Sequence, residues 1–111
     1  MLIAHCTISP DLISKAETVE VIERWGSFSE QPTTDMTINF ARAERQEGKS
    51  YSIIANLCLP SVWSEKSVSA LQLGLAKALS ESFSVEPKNV LVMTTILSSG
   101  FVVENGREVT W

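Results

Sequence analysis

The sequence predicts an α+β domain: two β-α-β units form a four-stranded sheet with two helices on one face, and a terminal β-hairpin follows. Three observations predict it. Four strand-like runs are interleaved with two stretches whose apolar residues recur at helical spacing. Each helical stretch leads into a strand, and right-handed β-α-β crossovers would lay both helices on the same side of the sheet. Near the end, Asn105-Gly106 separates two arms of alternating character, a strong short-range hairpin signal.

The first strand is Leu2 to Ile8 (LIAHCTI), stopped by Ser9-Pro10-Asp11. Ser14-Lys15-Ala16-Glu17 has the form of a capping box, in which Ser14 and Glu17 exchange bonds with each other's backbone amides. Behind it Ala16, Val19, Ile22 and Trp25 fall on one helical stripe, and Gly26 can supply a left-handed cap, so a first helix is expected to run to about residue 25. The polar stretch 27–35, with Pro32, reads as a loop. A second strand, Met36 to Ala43, puts Met36, Ile38 and Phe40 on one face, and Glu44 to Lys49 reads as a hairpin tip around Gly48.

The third strand, Tyr51 to Leu59, runs into Pro60. Ser64 caps a second helix whose stripe is Val68, Leu71, Leu75, Ala78 or Leu79, and Ser82 or Phe83. An exit turn at 85–89 precedes the fourth strand, Val90 to Leu97, whose dense apolar character suits the sheet interior. The units are about 1–47 and 50–97, with the hairpin at 100–111, in one domain of 111 residues. With both helices on one face, the other face is left bare and apolar. A patch of that size marks an interface, so a homo-oligomer is expected, with the hairpin as a strand donated to a neighbour.

Composition narrows the function. A formal charge of −4 argues against nucleic acid, which needs clustered Lys and Arg. No apolar run approaches the roughly 18–20 residues needed to cross a bilayer, and no export signal is read, so the expected location is the cytoplasm. Cys6 and Cys58 lie in apolar strands and read as buried free thiols. One histidine and no CxxC spacing leave no metal site to assign, and no cofactor motif is present. His5, in alternation with Ile3 and Thr7, reads as a hydrogen-bonded structural residue.

The run SIIANLCLP, the capped helix SEKSVSALQLGLAKALSESF, the turn VEPKN, the strand VLVMTTI and GFVVENG resemble the tautomerase superfamily. That superfamily includes 4-oxalocrotonate tautomerase, macrophage migration inhibitory factor and the cis-3-chloroacrylic acid dehalogenase group. The outline covers most of the chain; the residue-level likeness covers 51–106. The resemblance implies a homotrimer without cofactor. It also implies keto–enol isomerisation of a small carboxylated substrate by an amino-terminal proline of lowered pKa, with arginines holding the carboxylate.

Residue 2 is Leu here rather than Pro, so the corresponding amine is that of Met1, a primary amine of the class that titrates near about 7.7–8.0. Arg42 and Arg45 are the arginines close enough in sequence to share a carboxylate, although beside Glu44 and Glu47 they also read as solvated charges. Arg107 reads as a surface charge flanking the turn. Glu104 stands near where dehalogenase members carry a water-activating carboxylate, and also reads as a hairpin charge. Trp63 and Trp111 are candidates for the pocket wall. Two other readings are a non-catalytic oligomer of the same fold that acts as a binding module, and a ferredoxin-like dimeric α/β barrel.

Overall fold

The computed structural model describes all 111 residues. Its main sheet consists of β1 (Leu2–Ile8), β2 (Met36–Arg42), β3 (Ile53–Pro60) and β4 (Val90–Leu97), in the order β2-β1-β3-β4. β1 is parallel to β2 and β3 is parallel to β4, while β1 and β3 run antiparallel down the middle. The helices are α1 (Ile13–Ala16), α2 (Val21–Ser29) and α3 (Glu65–Phe83), and a separate hairpin pairs β5 (Val102–Glu104) with β6 (Arg107–Val109). In a split β-α-β arrangement of the ferredoxin-like kind, a strand lies between the two that a helix connects. Here those strands are direct neighbours, and the ferredoxin-like alternative is set aside.

Period-two alternation decides the two faces. Leu2, Ala4, Cys6 and Ile8 of β1 and Ile53, Ala55, Leu57 and Leu59 of β3 are buried towards the helices. There they meet Trp25 of α2 and Leu71, Leu75, Leu79 and Phe83 of α3, all fully buried, in one continuous core. The Trp25 indole N–H donates to the Leu71 carbonyl at 3.0 Å, so the largest core side chain ties α2 to α3 with its polar atom satisfied. Phe40 and Phe83 meet edge to face at 5.7 Å.

Ser64 caps α3 as the sequence predicts, its hydroxyl accepting from the Ser67 N–H at 3.1 Å. The single first helix is instead divided. The Lys15 carbonyl accepts from the backbone N–H groups of both Thr18 and Val19, at 3.1 and 3.0 Å, and from the Thr18 hydroxyl at 3.3 Å. This local competition closes α1, and Glu20 turns extended before α2 begins. Ser14 makes no cap. Gly26 is not the terminus either: it lies inside α2, whose left-handed cap is Glu30 at φ 57°.

Two further expectations change. Residues 44–49 are not a hairpin tip, because β1 lies between β2 and β3. The loop passes the end of β1, where the Gln46 side chain both donates to the Tyr51 carbonyl and accepts from its N–H, each at 3.0 Å. β4 is an edge strand rather than an interior one, because α3 carries the chain to the side of β3 away from β1.

Candidate functional site

The candidate site forms where β1 starts. Antiparallel pairing brings the start of β1 beside the end of β3, which places Met1 next to Pro60. The hairpin then folds over this corner. Its turn residues Asn105 and Gly106 have φ of 55° and 72°, the two positive values that a type I′ turn requires. Pairing of Val102 with Val109 and of Glu104 with Arg107 sends Val102, Glu104 and Val109 to one hairpin face. That face, with Met1, Pro60 and Trp111, encloses a cavity of about 110 Å³.

Trp111 fixes the hairpin in place. Its indole N–H donates to the Ser61 hydroxyl at 2.9 Å, and its backbone N–H donates to the Ser99 hydroxyl at 2.8 Å. The Gly100 N–H donates to the Val109 carbonyl at 3.0 Å and closes the hairpin's base. Glu104 is the one charged side chain lining the cavity, and the other walls are apolar or aromatic. Such a chamber can hold a small molecule against the start of β1, with the Glu104 carboxylate beside it.

Of the residues singled out from sequence, the structure brings Met1, Glu104 and Trp111 together. Arg42 it places elsewhere: paired with Ile8, at the far end of β1 and about 20 Å along the strand from Met1. Arg45 stands 3.1 Å from Glu47, both well exposed, beside a separate cavity of about 200 Å³ that includes Glu44, Gln46 and Tyr51. Within one chain, neither arginine reaches Met1's cavity. Trp63 lines a third cavity of about 260 Å³ with Val68, Gln72 and Ile96, and its indole N–H is buried without an acceptor. Arg107 is exposed on the hairpin, as expected. His5 lies on the open sheet face with Nδ1 3.4 Å from Nδ2 of Asn39.

Pro60, Val102 and Val109 were missed. The hairpin's register gave the signal for the two valines: Val102 lies two residues from Glu104 along one arm, and Val109 pairs with Val102 from the other. Cys6 is a buried free thiol as expected, whereas Cys58 is half-buried on the open face. Burial pushes the Cys6 thiol from 9.0 up to about 12, which leaves it protonated and unreactive.

The layers, the strand order and the closing hairpin match the fold of solved 4-OT, cis-3-chloroacrylic acid dehalogenase-family and macrophage migration inhibitory factor-like structures. The sequence matches no protein-family model and no curated protein. Among solved structures, the chain is similar to a fused 4-OT wild-type symmetric trimer: 17% identity, TM-score 0.76, covering 96% of this chain and 94% of that one. It is also similar to a member of the cis-3-chloroacrylic acid dehalogenase family, at 10% identity and TM-score 0.70, covering 96% and 82%. A third is the macrophage migration inhibitory factor-like protein of Entamoeba histolytica, at 16% identity and TM-score 0.69, covering 99% and 98%. At these identities the likeness is one of fold. No helix is long and apolar enough to cross a membrane.

Proposed function

We propose that this chain forms a homo-oligomer, a trimer like the fused 4-OT it is similar to, and isomerises a small carbonyl compound between keto and enol forms in the cavity at the start of β1. The observation that carries the reading is the enclosure of Met1 by Pro60, Trp111 and the Glu104 face of the hairpin. The α-amine of Met1 takes a proton from the carbon beside the carbonyl and returns it to the other end of the enol system. Glu104 can carry that same proton from the ammonium to the enol oxygen, and Trp111 packs on the substrate. A carboxylate on the substrate needs a guanidinium partner. Arg42 and Arg45 lie far from Met1 of their own chain, so this role falls to one of them from a neighbouring copy.

The test is turnover of phenylpyruvate by protein whose amino terminus is first confirmed by mass as unblocked Met1. Blocking the amine and Glu104→Gln are each expected to lower kcat at least tenfold, and Arg42→Ala or Arg45→Ala to raise KM. Unchanged turnover after blocking the amine sinks the proton shuttle. A second reading, a binding module of the same fold without turnover, is favoured by Leu2 where the resemblance calls for Pro. An intact oligomer inert towards α-keto acids would establish it.

A further inference from the structure

Between the start of α2 and the edge strand β2 lies a cavity of about 420 Å³ that shares no residue with the Met1 cavity. Its origin is local. The Lys15 carbonyl ends α1 and Glu20 runs extended, so residues 17–20 replace the helical turn that an unbroken first helix would lay there. Ile38 and Phe40 face the helices from β2, in register with the fully buried Ala4 and Cys6 of β1. Unlike those two they are only half-buried, as are Val19 and Ile22, which line the same cavity. Five of the seven lining residues are apolar, and the volume falls within the roughly 300–1,000 Å³ of small-molecule sites. Apolar side chains left half-covered in a concavity favour an apolar guest.

The two remaining lining residues, Glu20 and Glu23, are both acidic. The chain's ion pairs are Arg45–Glu47 and Lys88–Glu86, so neither of these glutamates has a cationic partner. The cations closest to them in sequence are turned to α3 instead. Lys15 donates to the Phe83 carbonyl at 3.3 Å, and the Arg24 guanidinium donates to the Ser82 hydroxyl at 2.9 Å. One positive element is present, the amino end of α2, whose macrodipole amounts to about half an elementary charge. Two whole negative charges outweigh it, and the cavity's field selects a cation.

We propose that this cavity binds a small organic cation with an apolar body, of the alkylammonium class. The body rests on Ile22, Ile38 and Phe40, and the charged head lies at the rim with Glu20 and Glu23. The aromatic ring of Phe40 suits the same guest, because an aromatic face also attracts a cation. Both glutamates are exposed, so salt screens their attraction, and each tightens binding by up to about fivefold. Apolar contact carries the rest of the affinity and is not screened. Binding here does not depend on the reaction at Met1.

Methyl NMR titration of the intact chain tests this with three probes of one chain length: octyltrimethylammonium, octanol and octanoate. Octyltrimethylammonium is expected to shift the methyls of Val19, Ile22 and Ile38 to saturation, and octanoate to bind at least fivefold more weakly. The double variant Glu20→Gln with Glu23→Gln changes two exposed side chains, and its dispersed methyl spectrum confirms the fold. It is expected to lose the preference for the cation and to bind octanol as the parent does. Octanoate binding as tightly as the ammonium would mean that the amino end of α2 decides, and overturns the choice of a cation. A double variant that keeps the full preference overturns the role of the two glutamates. An ammonium that leaves those three methyls unmoved, or shifts only Val102 and Val109 at the hairpin, overturns the site.

Discussion

The indole N–H of Trp111 donates to the Ser61 hydroxyl at 2.9 Å, and this bond ties the hairpin to the turn after β3 across the mouth of the candidate cavity. Both residues are exposed, so the bond contributes about 1 kcal/mol and acts locally. Trp111→Phe keeps the ring and removes the donor. It is expected to leave the unfolding midpoint within about 0.5 kcal/mol of the parent while speeding amide exchange at Val102 and Val109 roughly fivefold. Ser61→Ala should match it, and the double variant should go no further than either single one. Exchange rates that do not move would mean that the hairpin is held by other contacts.

Much of the fold was legible because one-faced burial imprints itself directly on sequence. β1 and β3 alternate faithfully, Ser64 caps the helix it precedes, and Asn105-Gly106 turns as written. The failures have physical causes too. Glycine carries one letter for two uses: Gly26 read as a cap, but it answers a close approach from Thr33 and Gln31 of the following loop. The end of α1 depends on bonds gathered by one carbonyl, that of Lys15, which periodicity cannot register. At the site, parallel β1 and β2 put Arg42 and Met1 at opposite ends of the sheet. That separation lay within reach of the topology, whereas the cavity beneath the hairpin depended on where the tail folds back.

Cys6 is fully enclosed and held protonated, with its thiol pushed up to about 12, while Cys58 is half-buried. Iodoacetamide at pH 8 is expected to leave Cys6 unmodified in the folded protein and to reach it only after denaturation. The linkage also has a sign. An acid whose folded pKa is raised gives stability that is present below the unfolded value of 9.0 and lost as pH rises towards about 12. The intact protein should therefore lose stability above pH 9, and Cys6→Ala should lose less over that range. Equal slopes in urea titrations at pH 8, 9.5 and 10.5 would count against this.

Trp25 fills the junction of α2, α3 and the sheet, and its N–H is committed to the Leu71 carbonyl. Trp25→Phe removes that bond and leaves a void at a fully buried position. The two effects together are expected to destabilise the fold by about 2–3 kcal/mol, and Trp25→Ala by about 3–5. Urea unfolding measures both. The phenylalanine variant should keep the parent m-value, because the same surface is exposed on unfolding.

Gly74 sits in the middle of α3, where alanine ordinarily improves a helix by about 1 kcal/mol. Packing reverses that preference. A Cβ there would lie 3.1 Å from the Ser29 backbone nitrogen and 3.3 Å from the Phe28 carbonyl carbon, so α2 meets α3 backbone to backbone at this point. Those neighbours belong to a helix end fixed further by the Ser29 hydroxyl donating to the Trp25 carbonyl at 2.6 Å, and they cannot retreat by rotating a side chain. Gly74→Ala is therefore expected to destabilise by about 1–3 kcal/mol despite its better propensity. By contrast, Leu73→Ala, one residue away on the exposed face, should stay within about 0.5 kcal/mol of the parent. A Gly74→Ala protein as stable as the parent in thermal unfolding would show that α2 can slide away from α3, and that their close approach does not set the position of the two helices.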